Sequence, residues 1–180
     1  TGYNAESGHV VATGRNLDVA VKGNAWLAVQ ALDGTEAYTR AGSLDINADG
    51  TLVSRGGLPV VGTGGPISVP ANAEVSIASD GTVSARPPGG VSAPIGKLKL
   101  ATSEAPLKRG EDGLFRSSTG DLADDPAAQV QDSALESSNV SAVSTMVAMI
   151  AAARQFEAQM KSMQTTEKDE QQAQQLLSMN

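Results

Sequence analysis

The sequence predicts a mainly β protein with a long C-terminal α-helix: an antiparallel domain of short strands and hairpins, followed by a helical extension. Three observations carry this expectation. All 19 glycines lie at or before Gly120 and no proline follows Pro126, so the strongest breakers of regular structure are missing from the last third of the chain. Upstream, short alternating apolar runs are separated by Asp-Gly turn signals. Downstream, apolar and small residues recur at alternating steps of four and three, the spacing along which one helix packs on another.

Residues 1–16 (TGYNAESGHVVATGRN) read as an extended connector with one short strand at His9 to Ala12. The antiparallel β domain is expected over 17–132. LDVAV alternates from Leu17 to Val21, Lys22-Gly23-Asn24 turns the chain, and AWLAVQA follows with Trp26 and Leu27 at its centre. Asp33-Gly34 marks a hairpin before EAYTRAG, and Asp49-Gly50 marks another inside SLDINADGTLVSRGG. LPVVG and the Gly/Pro loop Thr63 to Pro66 lead to ISVPANAEVSIASDGTVSAR, which contains a third such turn at Asp80-Gly81. Pro87-Pro88-Gly89-Gly90 interrupts the sheet, IGKLKLA resumes it, and a last pair is expected around Leu107 to Arg116, with Asp112-Gly113 between its arms. The acidic loop Asp121 to Pro126 leads out, and Val130 to Leu135 returns the chain to the helix.

The helix is expected over 133–180 as an amphipathic element on the order of 60 Å long. Ser133 with Glu136 three residues on matches a capping box, and Ser138 or Asn139 offers a second cap. Ala142, Met146, Met149, Ala153, Phe156, Met160 and Met163 form the seam, widened in its first half by Val143, Val147 and Ile150. Methionine and alanine permit close helix approach and adjustable packing. Beyond Met163 the seam positions become Glu167, Glu170, Gln174 and Leu177, so the final turns are expected to be solvated. A helix of this length exceeds what a compact domain of the remaining size can cover, so much of its seam is expected to meet something else, as an intersubunit contact, the alternative being a helix folded back on its own β domain.

Composition removes several function classes. The net charge of −7 and pI near 4.6 argue against sequence-independent nucleic-acid binding, which rests on Lys and Arg neutralising phosphates. The absence of cysteine excludes disulfides, thiolate zinc sites and cysteine nucleophiles. His9 is the single histidine, and without a second ligand or an acidic partner at ligand spacing it reads as a surface residue. Asp45-x-Asn47-x-Asp49-Gly50 resembles the opening of a calcium-binding EF-hand loop, but position twelve is Gly56 rather than glutamate, so a hairpin turn is the better reading. Gly62-Thr63-Gly64-Gly65 lacks the Lys-Ser/Thr of a phosphate-binding loop. Asn139-Val140-Ser141 fits a glycosylation acceptor, although at a helix start the asparagine reads as a cap. No apolar run of transmembrane length is present. Catalytic, cofactor and metal residues are therefore expected to be none, and an enzyme is not expected. The remaining alternative is a secreted β-rich binding module with a helical stalk.

LDVAVKGNAWLAV, with Tyr38-Thr39-Arg40 downstream, then AGSLDINADGTLVSRGGLP and LESSNVSAVSTMVAMIAAARQFEAQMK, resemble the flagellar basal-body rod and hook family. The motif residues are Trp26, Tyr38, Thr39, Arg40, Leu135, Ser138, Asn139 and Val140. Trp26-Leu27, Arg154-Gln155-Phe156-Glu157 and Gln159-Met160-Lys161 bring the chain nearer the proximal-rod members than the distal-rod ones. Ala153 stands where relatives commonly carry glutamine, and Gln159 where distal-rod relatives carry asparagine. The resemblance implies an additional N-terminal helix ahead of Thr1, pairing with the C-terminal one. It also implies a non-enzymatic axial subunit of the periplasmic rod, exported through the flagellar type III apparatus and polymerising through terminal helices to carry torque to the hook. The partners implied are other rod subunits, copies of the chain itself and the export apparatus, with no nucleic acid and no membrane insertion.

Overall fold

The computed structural model describes residues 8–139 and 142–178. The chain forms two compact units, Thr1–Asn139 and Val140–Asn180.

Among its described residues, the regular elements of the first unit are all strands. It opens with β1 (Val10–Ala12), β2 (Val19–Val21), β3 (Ala25–Gln30) and β4 (Glu36–Thr39). There follow β5 (Leu44–Ile46), β6 (Leu52–Ser54), β7 (Val61–Gly62) and β8 (Gly65–Pro66). Next come β9 (Glu74–Ile77), β10 (Thr82–Arg86), β11 (Ala93–Lys97) and β12 (Leu100–Thr102). The unit closes with β13 (Lys108–Arg109), β14 (Phe115–Arg116), β15 (Val130–Asp132) and β16 (Ala134–Glu136). A five-stranded sheet runs β12-β3-β4-β14-β13, a three-stranded sheet runs β11-β10-β9, and β1-β16, β2-β15, β5-β6 and β7-β8 form two-stranded ribbons. These pairings are antiparallel.

Five tight loops share one geometry, in which an amide bonds the carbonyl four residues on while a glycine amide bonds back across the turn. The pairs are Ala31 with Thr35, Asn47 with Thr51, Ser54 with Leu58, Ala78 with Thr82, and Gly110 with Leu114. The glycines at the fourth position, from Gly34 to Gly113, have φ between 76° and 83°, a conformation that glycine adopts without steric cost. This is the type I turn closed by a glycine bulge. The Asp-Gly signals fall on four of the five, and Gly56-Gly57 supplies the other. In the loop that resembles a calcium site, Asn47 Oδ1 accepts from the amides of Asp49 and Thr51 at 3.0 and 2.8 Å, so the side chain closes a hairpin.

The aspartates of three loops act in the same way. Asp33 accepts from the Thr35 hydroxyl and amide, Asp80 from the Thr82 amide and hydroxyl, and Asp112 from the Arg116 guanidinium and the Leu114 amide. These bonds hold all three carboxyls below the ordinary aspartate range. Because the folded-state values are depressed, the stabilisation is complete above the unfolded value, near pH 4, and disappears as the pH falls through the folded values. The protection of the Thr35 and Thr82 amides from hydrogen exchange, relative to their intrinsic rates, should therefore fall as the pH drops below about 4. Asp80→Asn should make the protection factor at the Thr82 amide independent of pH in this range; a continued fall there would refute the assignment.

β3 sits second in the large sheet and is covered on both faces, which explains why AWLAVQ is nearly continuously apolar rather than alternating. Leu27 and Val29 enter the main core with Val19, Leu44, Leu52, Val60, Val83, Leu98 and Val130. Trp26 and Ala28 face the other way, joining Tyr38, Ala101 and Leu107 in a second cluster lined by Phe115 and Leu122. Trp26 and Phe115 meet at 4.6 Å between ring centroids. Small aliphatic residues fill the larger core, and the few aromatics are gathered mainly in the smaller one.

Two expected boundaries shift. β1, inside the stretch read as a connector, pairs with β16, so residues 10–12 belong to the β unit. The helix expected from Ser133 instead begins at Ala142: α1 spans Ala142–Ser178, about 55 Å at 1.5 Å per residue. Ser133 is in the left-handed region at φ 52°, and its carbonyl accepts from the Thr13 and Gly14 amides. Glu136, expected to return to Ser133 as a capping box, accepts instead from Gly8 and Arg40. Strand pairing and the ion pair claim the groups that the local cap would have used.

Candidate assembly surface

The residues singled out in the sequence divide between the two units. On α1, Met146, Met149, Phe156 and Met163 are each more than 60% exposed, and Met160 and Ala153 are exposed as well. Val143, Val147 and Ile150 add to the same surface. Of the twelve large hydrophobic residues exposed among those described, eight lie on this helix between Val143 and Met163. Scattered exposed apolar residues are ordinary, but a contiguous stripe marks a contact surface. The seam drifts by about 20° per heptad on a straight helix, so a neighbour following it would wind around α1 with a left-handed twist. Ala142 is the first residue of α1, and its side chain, like Val140, lies outside the described residues.

Two of the motif residues in the β unit are interior. Tyr38 is 1% exposed. Its hydroxyl donates to Glu36 Oε1 at 2.6 Å and accepts from the Leu122 amide at 2.6 Å, while both oxygens of Glu36 bind Lys99 Nζ at 2.7 and 2.8 Å. Tyr38 thereby fastens the acidic loop Asp121 to Pro126 to the sheet. The same loop covers the outer edge of β12: Asp124 accepts from the Leu100 amide, Asp125 donates its amide to the Leu100 carbonyl, and the Asp125 carboxylate accepts from the Thr102 hydroxyl. A strand edge left bare invites pairing with another chain, and this loop covers part of it.

Burial, and then the hydrogen bond to Glu36, push the Tyr38 hydroxyl well above its ordinary value. With a raised folded-state value, its contribution is complete below about pH 10, the unfolded value, and is lost as the pH rises through the folded one. Tyr38→Phe should cost about 1–2 kcal/mol by leaving the Leu122 amide without its acceptor, and should flatten the stability profile above pH 10. Urea titrations of both chains across that range test this, and an unchanged alkaline slope would refute it.

Trp26 is buried, and Arg40 lies over its ring at 5.8 Å. Arg40 Nε donates to Glu136 Oε2 at 2.8 Å, and its two terminal nitrogens donate to the carbonyls of Gly23 at 2.9 Å and Val21 at 3.3 Å. Thr39 accepts from the Ala41 amide. Leu135 lies half-buried in β16, while Ser138 and Asn139 are exposed. No sequence signal pointed to the partners of Arg40 and Tyr38, because most are backbone groups or residues far away in the chain.

Among the described residues, no group of three or more His, Cys, Asp or Glu is gathered as a metal site, and no helix is long and apolar enough to cross a membrane. His9 is exposed. A groove of about 510 Å³ is lined by Asn72, Glu74, Arg86 and the Pro87–Gly90 turn, with its two charges paired to each other. A smaller one, of about 290 Å³, lies by Lys22, Thr102 and Asp125.

The surface that stands out is a helical stripe following a β unit, and comparison with known proteins finds both parts together. Residues 20–85 match the flagellar hook protein FlgE/F/G D1 domain, and residues 131–176 match the flagellar basal body rod FlgEFG protein C-terminal region. The flagellar basal-body rod protein FlgF of Salmonella typhimurium is 44% identical over 99% of this chain and 75% of its own length, as is that of Escherichia coli. The chain belongs to the FlgE/F/G family. It is a structural protein of the flagellar basal-body rod and is most similar to FlgF. FlgG of Agrobacterium fabrum is 36% identical over 89% of this chain and 64% of its own length, so the similarity extends to the FlgG branch. The FlgE/F/G C-terminal match takes in most of β15, all of β16 and almost all of α1. The exposed stripe thus falls within a segment defined by the family.

Proposed function

We propose that this chain is built into the rod through the exposed stripe of α1, which packs against helices of neighbouring subunits, copies of itself among them. The seam is Ala142, Met146, Met149, Ala153, Phe156, Met160 and Met163. The contiguous apolar surface from Val143 to Met163 carries this reading. A subunit that leaves such a stripe bare gains its burial free energy only when neighbours arrive, which couples ordering of the helix to assembly. The role is mechanical rather than enzymatic: rod helices bear the axial contacts and transmit torque across the periplasm to the hook. Passage through the flagellar export apparatus, without membrane insertion or nucleic-acid binding, is part of the same proposal.

A chain ending at Asn139 provides the test. That cut retains Glu136 and the whole β1–β16 ribbon, so the β unit should fold with unchanged thermal stability. The shortened chain should be absent from purified basal bodies and should not restore motility. Incorporation at normal levels would overturn the assignment, whereas a retained binding activity without incorporation would favour a β-rich binding module with a helical stalk.

A further inference from the structure

We propose that Arg40 is a positioning residue that clasps the β1–β16 ribbon to the body of the β unit, so that the strand running on toward α1 yields little under load. The load-bearing part of this proposal rests on the function proposed above; the clasp itself rests on geometry.

The ribbon needs such a device. β1 is exposed along its whole length and, among the described residues, pairs with β16 alone, and an isolated two-stranded ribbon is marginally stable in water. Its inner end is anchored. Ala134 is fully buried, its amide reaches the Asp18 carbonyl, and the Ser133 carbonyl accepts from Thr13 and Gly14. The Thr13 hydroxyl donates to the buried Asp18 carboxylate at 2.7 Å. At the outer end the anchor is Glu136. One of its oxygens takes Arg40 Nε, and the other accepts from the Gly8 amide at 2.7 Å, tying both strands of the ribbon through one carboxylate. Gly8 passes so close to β16 that a Cβ there would lie 1.8 Å from the Ser137 carbonyl oxygen, and the Ser137 amide bonds the His9 carbonyl at 2.8 Å.

Arg40 suits the task because its rigid planar fork serves three directions at once: Glu136, Val21 and Gly23. The side chains of Arg40 and Glu136 are 18% and 10% exposed, so the pair is shielded from the solvent screening that weakens surface ion pairs. β16 ends at Glu136, and the second unit begins at Val140. The clasp therefore grips the final residue of the final strand before the chain leaves the β unit.

Glu136→Gln in the full chain separates the possibilities. Gly8 and Arg40 bond opposite oxygens of Glu136, so replacing one oxygen by NH2 sets a donor against one of them, which loses its partner while side-chain size is kept. Hydrogen exchange at the Gly8 and Ser137 amides should accelerate at least tenfold, with Val29 in β3 unchanged; Arg40→Lys should give the same pattern. In cells with this chain as their only copy of the subunit, the Glu136→Gln protein should enter the rod normally. Those cells should swim as wild type in dilute medium and lose speed faster as viscosity is raised. Wild-type exchange at Gly8 and Ser137 would overturn the clasp. Faster exchange with unchanged swimming under load would overturn its mechanical role. Failure of the chain to enter the rod would also overturn that role, because the clasp would then serve assembly. None of these outcomes touches the helix-stripe reading, which fails only if disruption of the stripe leaves incorporation intact.

Discussion

Phe156→Asp is expected to abolish incorporation of the chain into the rod while leaving the β unit folded. Phe156 is 64% exposed in the single chain, so the substitution costs the free subunit little. In the assembly the same position lies at the centre of the proposed seam, where a carboxylate would have to be desolvated against apolar neighbours. Truncating a buried phenylalanine alone costs on the order of 3 kcal/mol or more, which corresponds to at least a hundredfold in association. Motility and the amount of the chain in purified basal bodies should both fall to background. Gln155→Asp, one residue away, about 100° around α1 and outside the seam, is the control and should be tolerated. If Phe156→Asp and Gln155→Asp behave alike, the seam is misplaced.

The largest expected loss of stability in the β unit comes from a single methyl group. Gly42 follows the Tyr38-Thr39-Arg40 motif and is buried, and a Cβ built there would sit 1.7 Å from the Val19 carbonyl oxygen and 2.8 Å from its carbon. The obstacle is backbone in β2, held by the Val19 amide to the Gly42 carbonyl at 2.9 Å and by the Leu44 amide to the Leu17 carbonyl at 3.0 Å. It cannot swing aside as a flexible side chain would. Gly42→Ala should therefore force β2 away from the segment before β5, at a cost on the order of 3 kcal/mol. That corresponds to a fall in melting temperature of roughly 10 °C. Gly14→Ala makes a useful contrast: nothing lies within 4 Å of the added atom, although its φ of 73° adds some backbone strain. Thermal unfolding followed by circular dichroism ranks the two, and equal losses would show that β2 is less constrained than its hydrogen bonds suggest.

The two halves of the chain were legible to different depths. Asp33-Gly34, Asp49-Gly50, Asp80-Gly81 and Asp112-Gly113 each announce a hairpin, because every group that closes such a turn lies within five residues. The apolar stripe of α1 was readable for the same reason, since its neighbours along the helix are three and four positions away. Of the two helix starts offered, only the one at Ser133 is overturned: Ser133 and Glu136 satisfy a local capping pattern, yet both are claimed by strands and side chains from the other end of the unit. Tyr38 was identified as a motif residue, but its tie to the Leu122 amide was not, since a backbone donor carries no side-chain signature.

What the amino-acid sequence determined by itself was the local chemistry: where the chain turns, which stretch is free of helix breakers, and which helix positions are apolar. Only the tertiary structure decided that β1 joins β16, that Arg40 grips Glu136, and that Gly42 must lack a side chain. Turn and helix preferences act over a few bonds and are written in neighbouring residues. Register between distant strands is settled when the whole core closes and each buried polar group must find a partner.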